Sequence, residues 1–388
     1  MKEQHFTFID LFSGIGGFNQ AMTSLGGTCL LASEIDPNAI EVYRDNYKID
    51  SNIDVRKLSN DMIPAHDVLC GGFPCQTFSK AGKQEGFKNQ TKGTLFFEIE
   101  RILEEKHPKY VLLENVRNLA SHDHGRTYAI ICGVLNEIGY RLPDHPLVLS
   151  PHQFGIPQVR ERIYIPGVYD PKNVNKPLHF EFHNLKSKSE NSIDSILEKG
   201  EVDPKYRISE HTEKVLNAWN EFYHGLDTKI LGFPIWSDFF RNKPNDPSFP
   251  LWKQDFIEKN KKLYQRNKKF IDKWFLKWDN LKDFTPTERK FEWQCGTSID
   301  SLWDGIIQIR PSGVRVKRPD TFPTLVALVQ TPIIGKLKRK LTVKEAQRLQ
   351  SFPDTFRPDA KTNQAYKQFG NSVNVKVIKE VFERLIEN

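Results

Sequence analysis

No apolar run in this 388-residue sequence approaches the roughly 20 residues that a membrane-spanning helix needs. The stretch from Met1 to Phe8 lacks the apolar core of a secretory leader. Cysteine is scarce: five residues, an odd number without tight pairs, give neither a disulfide framework nor a zinc pattern. These absences predict a reduced, cytoplasmic protein with no membrane partner. The group His122, Asp123 and His124 has no cysteine or further acidic residue beside it, so no metal is expected there.

What is present fits a soluble globular chain. Hydrophobic residues make up 38%, and 23 glycines and 23 prolines are scattered. The length suits two domains. Net charge is +7 and unevenly spread: residues 251–290 carry 12 Lys/Arg against 6 Asp/Glu, and residues 310–340 carry 8 against 1. Basic clusters interleaved with aromatics suit a polyanionic partner, although a solvated face has the same composition.

In chain order, Thr7-Phe8-Ile9-Asp10-Leu11-Phe12 reads as a buried strand entering Ser13-Gly14-Ile15-Gly16-Gly17, with a helix after it. A glycine turn between first strand and first helix brings backbone N–H groups to a ligand. Its spacing is not that of dinucleotide binders. A second strand over Cys29–Ser33 ends at Glu34, placed to accept hydrogen bonds from ribose hydroxyls. Together these favour a nucleoside ligand over nicotinamide.

A third apolar run, Asp67 to Cys70, leads into Gly71-Gly72-Phe73-Pro74-Cys75. The glycines permit a sharp turn, and a cysteine at a loop mouth can attack an electrophilic carbon. A fourth strand, Tyr110 to Leu113, ends in Glu114, at the end of a central strand where open α/β sheets keep their ligands. Near Arg160 and Arg162, alternation predicts one strand with both guanidiniums on one face and Val159, Ile163 and Ile165 on the other. Beyond Gly167 the composition shifts: residues 170–330 are rich in Lys, Asn, Pro and Trp and show no repeat. Aromatics at 233–236 and 274–278 read mostly as a small core. The chain closes with a short capped helix at 341–349 and an amphipathic helix presenting Val373, Val377, Ile378, Val381 and Leu385.

Taken together, DLFSGIGGF (10–18), Glu34, GGFPCQTFS (71–79), ENV (114–116), QVRER (158–162), RPDTFPTL (318–325) and FGNSV (369–373) resemble the ordered motifs of bacterial-type cytosine-5 DNA methyltransferases. The likeness covers roughly the first 168 and last 70 residues. It implies an α/β fold, a doubly wound and mostly parallel sheet of the class I methyltransferase, Rossmann-like kind, with a smaller target recognition domain. The implied domains are 1–168 plus 362–388 for catalysis and cofactor, 169–340 for target recognition, and 341–361 as a hinge.

The resemblance further implies S-adenosylmethionine as methyl donor, leaving as S-adenosylhomocysteine, and double-stranded DNA as partner. Phe12, Ser13, Gly14, Ile15, Gly17, Glu34, Ile35, Asp54, Val55, Pro74, Leu95, Asn371 and Ser372 would hold the cofactor. Glu34 would take the ribose and Asp54 the adenine amino group; Ile35 stands where many relatives have an aromatic. Cys75 would add to carbon 6 of a flipped cytosine, and Glu114 would hold ring nitrogen 3. Arg162 would contact the base carbonyl, and Arg160 would help to position the loop. A monomer is expected. An accompanying restriction endonuclease, the target sequence and the base for the carbon 5 proton stay open. The alternatives are an RNA cytosine-5 methyltransferase of the same family, or a DNA-binding relative without catalysis.

Overall fold

The computed structural model describes residues 5–74, 95–229, 232–241, 246–325 and 330–388, which divide into two compact units. The first holds the chain through Asn191, Thr324 with Leu325, and Val343–Asn388; the second starts at Ser192 and ends at Thr342. Composition changes near Gly167, but packing changes only after Asn191. Leu178 still donates its N–H to Leu142 O at 3.0 Å, and Lys186 to Gln153 O at 2.9 Å.

The first unit begins with β1 (Phe6–Leu11), α1 (Gly17–Thr23), β2 (Gly27–Ser33), α2 (Pro37–Tyr47), β3 (Val68–Gly72), α3 (Leu95–Lys106) and β4 (Tyr110–Val116). It continues with α4 (Arg126–Ile138), β5 (Tyr140–Arg141), β6 (Leu147–Leu149) and β7 (Arg162–Tyr169). One sheet runs β2-β1-β3-β4-β7-β5, with β6 also on β7. Strands β1 to β4 are parallel, and β7 returns antiparallel to β4. Val68, Leu69, Cys70, Val111, Leu112 and Leu113 are wholly buried, because helices cover both faces of a parallel sheet. On one face Ile9, Leu69, Val111 and Ile165 pack with Ile99 and Leu103 of α3 and Ile131 and Leu135 of α4. Local signals fix the helix ends: Asp36 caps α2 by accepting from Asn38 N–H at 3.0 Å before Pro37, and Gly139, with φ 116°, closes α4.

The second unit contains α5 (Glu210–Gly225), β8 (Ile235–Trp236), α6 (Leu251–Arg266), α7 (Lys268–Lys277), β9 (Lys290–Gln294), β10 (Ile306–Arg310), β11 (Gly313–Lys317), β12 (Ile333–Ile334) and β13 (Arg339–Lys340). Its sheet runs β13-β12-β10-β11-β9-β8. Trp219, Phe222, Trp274, Phe275, Phe291 and Trp293 form an aromatic core against Ile307, Val314 and Val316. Trp219 stacks on Phe291 with ring centres 5.0 Å apart. The aromatics of 274–278 are therefore mainly core, while Leu276 faces out.

The chain then re-enters the first unit as α8 (Val343–Leu349), α9 (Thr362–Asn371) and α10 (Val375–Leu385). The apolar face of α10 covers the second sheet face: Phe382 packs on Phe6 at 5.1 Å and on Tyr110 at 5.9 Å. Among the described residues no helix is long and apolar enough to cross a membrane, and no group of three or more His, Cys, Asp or Glu could hold a metal ion.

Candidate active site

The carboxyl ends of β1 to β4 open into one cleft of about 480 Å³, where an open α/β sheet leaves a crevice for ligands. Phe12 follows β1, Glu34 follows β2, Gly72, Phe73 and Pro74 end β3, and Glu114, Asn115 and Val116 end β4. Leu95 at the start of α3, Arg160 and Arg162 beside β7, and Asn371 and Ser372 at the end of α9 complete the wall. Cys75 follows Pro74 in sequence and lies outside the described residues.

The turn after β1 is built for close backbone approach. Gly14 and Gly16 have φ of 53° and 85°, and Phe12 itself adopts φ 55°, an unusual conformation for a residue with a side chain. Tyr47 of α2 donates its hydroxyl to Gly16 O at 3.0 Å, and a Cβ on Gly16 would lie 2.2 Å from the Tyr47 ring. Gly14 N–H donates to Glu34 Oε2 at 2.7 Å, and Ile35 and Asp36 N–H donate to Glu34 Oε1 at 2.7 and 2.9 Å. Three backbone donors thus aim this carboxylate, leaving acceptor capacity for a ligand hydroxyl. The buried Ser13 hydroxyl has no hydrogen-bond partner among the described residues.

Beside this end lies a second hollow of about 360 Å³, lined by Glu34, Ile35, Asn52, Ile53, Asp54, Lys57 and Met62. Ile35 is two-thirds exposed (66%), so no ring closes that side. Arg56 holds Asp54 through both carboxylate oxygens, with contacts of 2.6 to 3.0 Å, and keeps that carboxyl below its ordinary range. Gly17, Ser13 and Val55 do not line either cavity. Gly17 packs under Val373 and Ser372, and Val55 belongs to the core.

At the other end, Glu114 is buried. Desolvation raises its carboxyl pKa, and the Arg162 and Arg160 charges hold that rise back. Arg160 is also buried, and its position departs from the single strand that alternation predicted. The regular strand starts at Arg162, and Arg160 N–H goes instead to the Ser150 hydroxyl at 2.9 Å. Its guanidinium donates to Leu325 O at 3.2 Å, Gly370 O at 2.9 Å and Ser372 O at 2.8 Å. Burial, then the Arg162 charge, pulls it down to about 9, so it is still a cation at neutral pH. It ties three chain segments together behind the cleft, while Arg162 keeps its contact with Glu114.

Among the wall residues that the sequence reading did not assign to the site are Asn115, Asp36 and Lys367. Asn115 donates to Phe73 O at 2.8 Å and so fixes the chain leaving β3. Asp36 and Lys367 face each other at 3.8 Å. Lys367 stands one helical turn before Asn371 on α9, a spacing that would have flagged it.

The four described cysteines are free, and burial is the first cause raising each thiol, with Cys29 and Cys295 pushed to about 12 and Cys132 to about 11.

The cleft, with a fixed carboxylate at one end and a proton-favouring carboxyl beside two guanidiniums at the other, stands among known proteins as follows. The family model for the C-5 cytosine-specific DNA methylase matches residues 6–387. The chain is 31% identical to the Type II methyltransferase M.AluI of Cellulosimicrobium cellulans, over 97% of this chain and 91% of that protein. It is 32% identical to M.HhaI of Haemophilus parahaemolyticus, over 98% and 95%, and 34% identical to M.HpaII of Haemophilus parainfluenzae, over 99% and 90%. Among solved structures, a DNMT2 variant of Spodoptera frugiperda shares the fold with a TM-score of 0.54 at 20% identity, covering 99% of this chain and 100% of that one. A putative DNA modification methyltransferase from an E. coli prophage does so with a TM-score of 0.54 at 22% identity, covering 98% of each. The chain therefore belongs to the C-5 cytosine-specific DNA methylase family and is a methyltransferase of that class.

Proposed function

We propose that this chain methylates carbon 5 of a flipped cytosine in a specific duplex DNA sequence, through a covalent adduct of Cys75, as the modification enzyme of a restriction–modification system. The observation that carries the reading is Glu114, a buried carboxyl inclined to keep its proton, beside Arg162 in the cleft.

The cleft residues suit S-adenosylmethionine: the backbone turn at Gly14, the aimed Glu34 carboxylate and the wall residues Asn371 and Ser372. Phe12, Ile15, Ile35, Pro74 and Leu95 would supply its apolar contacts, and Asp54 its adenine contact. When bound, this cofactor supplies an electrophilic methyl group to carbon 5 and leaves as S-adenosylhomocysteine.

Cytosine carbon 5 is a poor nucleophile until the ring is activated. The Cys75 thiolate forms a bond to carbon 6, and the electron pair moves to carbon 5. Glu114 gives or shares its proton at ring nitrogen 3, which removes the charge that addition would build there. Arg162 stabilises the base carbonyl. Once carbon 5 carries its methyl group, loss of the carbon 5 proton restores the double bond and expels Cys75. Burial raises the thiols of the four other cysteines, which lowers their thiolate fraction. Extruding the base costs a few kcal/mol, which DNA binding must offset.

The second unit is the target reader in this proposal. On its sheet the face opposite the aromatic core carries Glu292, Gln294, Arg310, Arg315 and Lys317, polar side chains able to meet base edges or phosphates, while Gln308 on the same face is buried. Several lysines of α6 and α7 are already in ion pairs, Lys259 with Asp255 and Lys268 with Asp272 among them, so not all of the positive charge is free for phosphate.

The test is to express the chain in a bacterial host lacking DNA methylation and to sequence the modified cytosines. A single methylated motif is expected from the unaltered chain and none from Cys75→Ala, which still binds S-adenosylhomocysteine. Substantial methylation by Cys75→Ala would rule out the covalent route.

A further inference from the structure

We propose that helices α6 and α7 form a second DNA-binding face, which holds phosphates of duplex outside the target sequence. This inference rests on DNA being the substrate and goes beyond the reading face of the second unit's sheet.

Residues 251–277 carry nine Lys/Arg against three Asp/Glu, a surplus of six beside +7 for the whole chain. The two helices give Leu263, Ile271, Trp274 and Phe275 to the aromatic core. On α7 this leaves Lys269, Lys273 and Leu276 along the outer stripe, all exposed, Leu276 at 73%. The sheet's polar face, with Arg310, Arg315 and Lys317, lies on the other side of the same core. The positive charge of the helices therefore points away from the surface that would read bases. A straight duplex on the reading face does not wrap round to it, because DNA bends smoothly only over a persistence length of about 150 base pairs.

Ion pairs do not consume this charge. The three acidic residues are engaged, Asp255 by Lys259, Glu258 by Lys262, and Asp272 by Lys268 and Arg241. Arg266 and Lys277 take Asp227 and Glu221 from outside these helices. Lys261, Lys269 and Lys273 have no carboxylate in ion-pair range among the described residues. Lys269 and Lys273 stand four apart on one helix, and like charges at that spacing destabilise it. A polyanion laid across them removes the repulsion. A protein partner would want an apolar centre, where interfaces are depleted in lysine. Phosphate needs only point charges on flexible stems, and lysine supplies those.

The experiment places one target site, found by sequencing the modified cytosines, in a duplex of about 30 base pairs and in a linear DNA of about 3,000, below and above the persistence length. On the long DNA a second face gains from the high local concentration of tethered duplex; on the short one it does not. Lys269→Gln combined with Lys273→Gln is expected to raise KM for the long DNA about 10-fold, the scale of two lost phosphate contacts, with kcat and the short duplex unaffected. Lys269→Arg combined with Lys273→Arg should keep the KM of the unaltered protein. For the unaltered protein, the advantage of the long DNA should fade between about 50 and 200 mM salt. An unchanged KM in the glutamine variant means a solvated face, or one for an acidic protein, and overturns the proposal. So does an equal rise on both substrates, which would set the lysines against the target duplex. If the unaltered protein methylates neither DNA, the substrate assignment itself fails and this inference with it.

Discussion

Arg162 Nε stands 3.1 Å from Glu114 Oε1, across the antiparallel pair of β4 and β7. In that register Glu114 lies opposite Tyr164 and Val116 opposite Arg162, so the acid and the guanidinium are diagonal neighbours on one sheet face. Diagonal positions are about 7–8 Å apart at the backbone, within reach of a long side chain. The pairing holds a buried carboxyl beside a cation without letting the cation dominate: burial is the larger influence, and it favours the proton.

Glu114→Gln keeps the shape of the side chain and removes the transferable proton. Turnover is expected to fall by about 10²-fold or more, while DNA and S-adenosylhomocysteine binding stay close to normal. Single-turnover methylation with saturating DNA reads the effect; an unchanged rate would make the carboxyl structural.

Arg162→Gln removes the nearer positive charge that holds the Glu114 pKa down. The carboxyl then stays protonated to higher pH, so the alkaline limb of the turnover profile should move upward even as the maximal rate falls. A limb that stays in place or moves down would contradict the assigned proton.

Asp10 is wholly buried on β1, with Tyr43 donating at 3.2 Å to Oδ2 and no hydrogen-bond partner at Oδ1 among the described residues. Desolvation raises its pKa well above the ordinary value. For a carboxyl raised in the folded state, the unfolded chain ionises first, so stability is lost as pH climbs from the unfolded pKa towards the folded one. Asp10→Asn should therefore raise the melting temperature more at about pH 8 than at about pH 4. An equal shift at both would mean that Asp10 is not a neutral acid in the fold.

Replacing residues 192–342 by the matching region of a relative of known specificity should transfer that specificity. The chemistry at cytosine is the same whatever flanks it, whereas duplex reading needs side chains at base edges. An active chimaera that still methylates the original site would contradict the assignment of the second unit.

Much of the site was legible because it depends on local geometry. The strand–turn–helix at 6–23 needs glycine at 14 and 16 for positive φ, and Glu34 and Glu114 end strands that their apolar runs announce. Helix α2 has the bounds that its N-cap and Pro37 signal, and α10 buries Val377, Ile378, Val381 and Leu385, as its spacing predicts. Arg160 was harder to place, since alternation continues smoothly through 158–165 and nothing local marks where the regular strand begins.

The sequence by itself determined the order of elements, the turn that approaches a ligand and the strand ends where charged groups stand, because these follow from backbone sterics and periodicity over a few residues. Only the tertiary structure decided which distant groups meet. Arg160 finds its acceptors 165, 210 and 212 residues along the chain, and Lys367 reaches Asp36 only because α9 packs back into the first unit. The physical reason is that such meetings depend on how a long intervening segment folds and where it returns the chain, which no local pattern encodes.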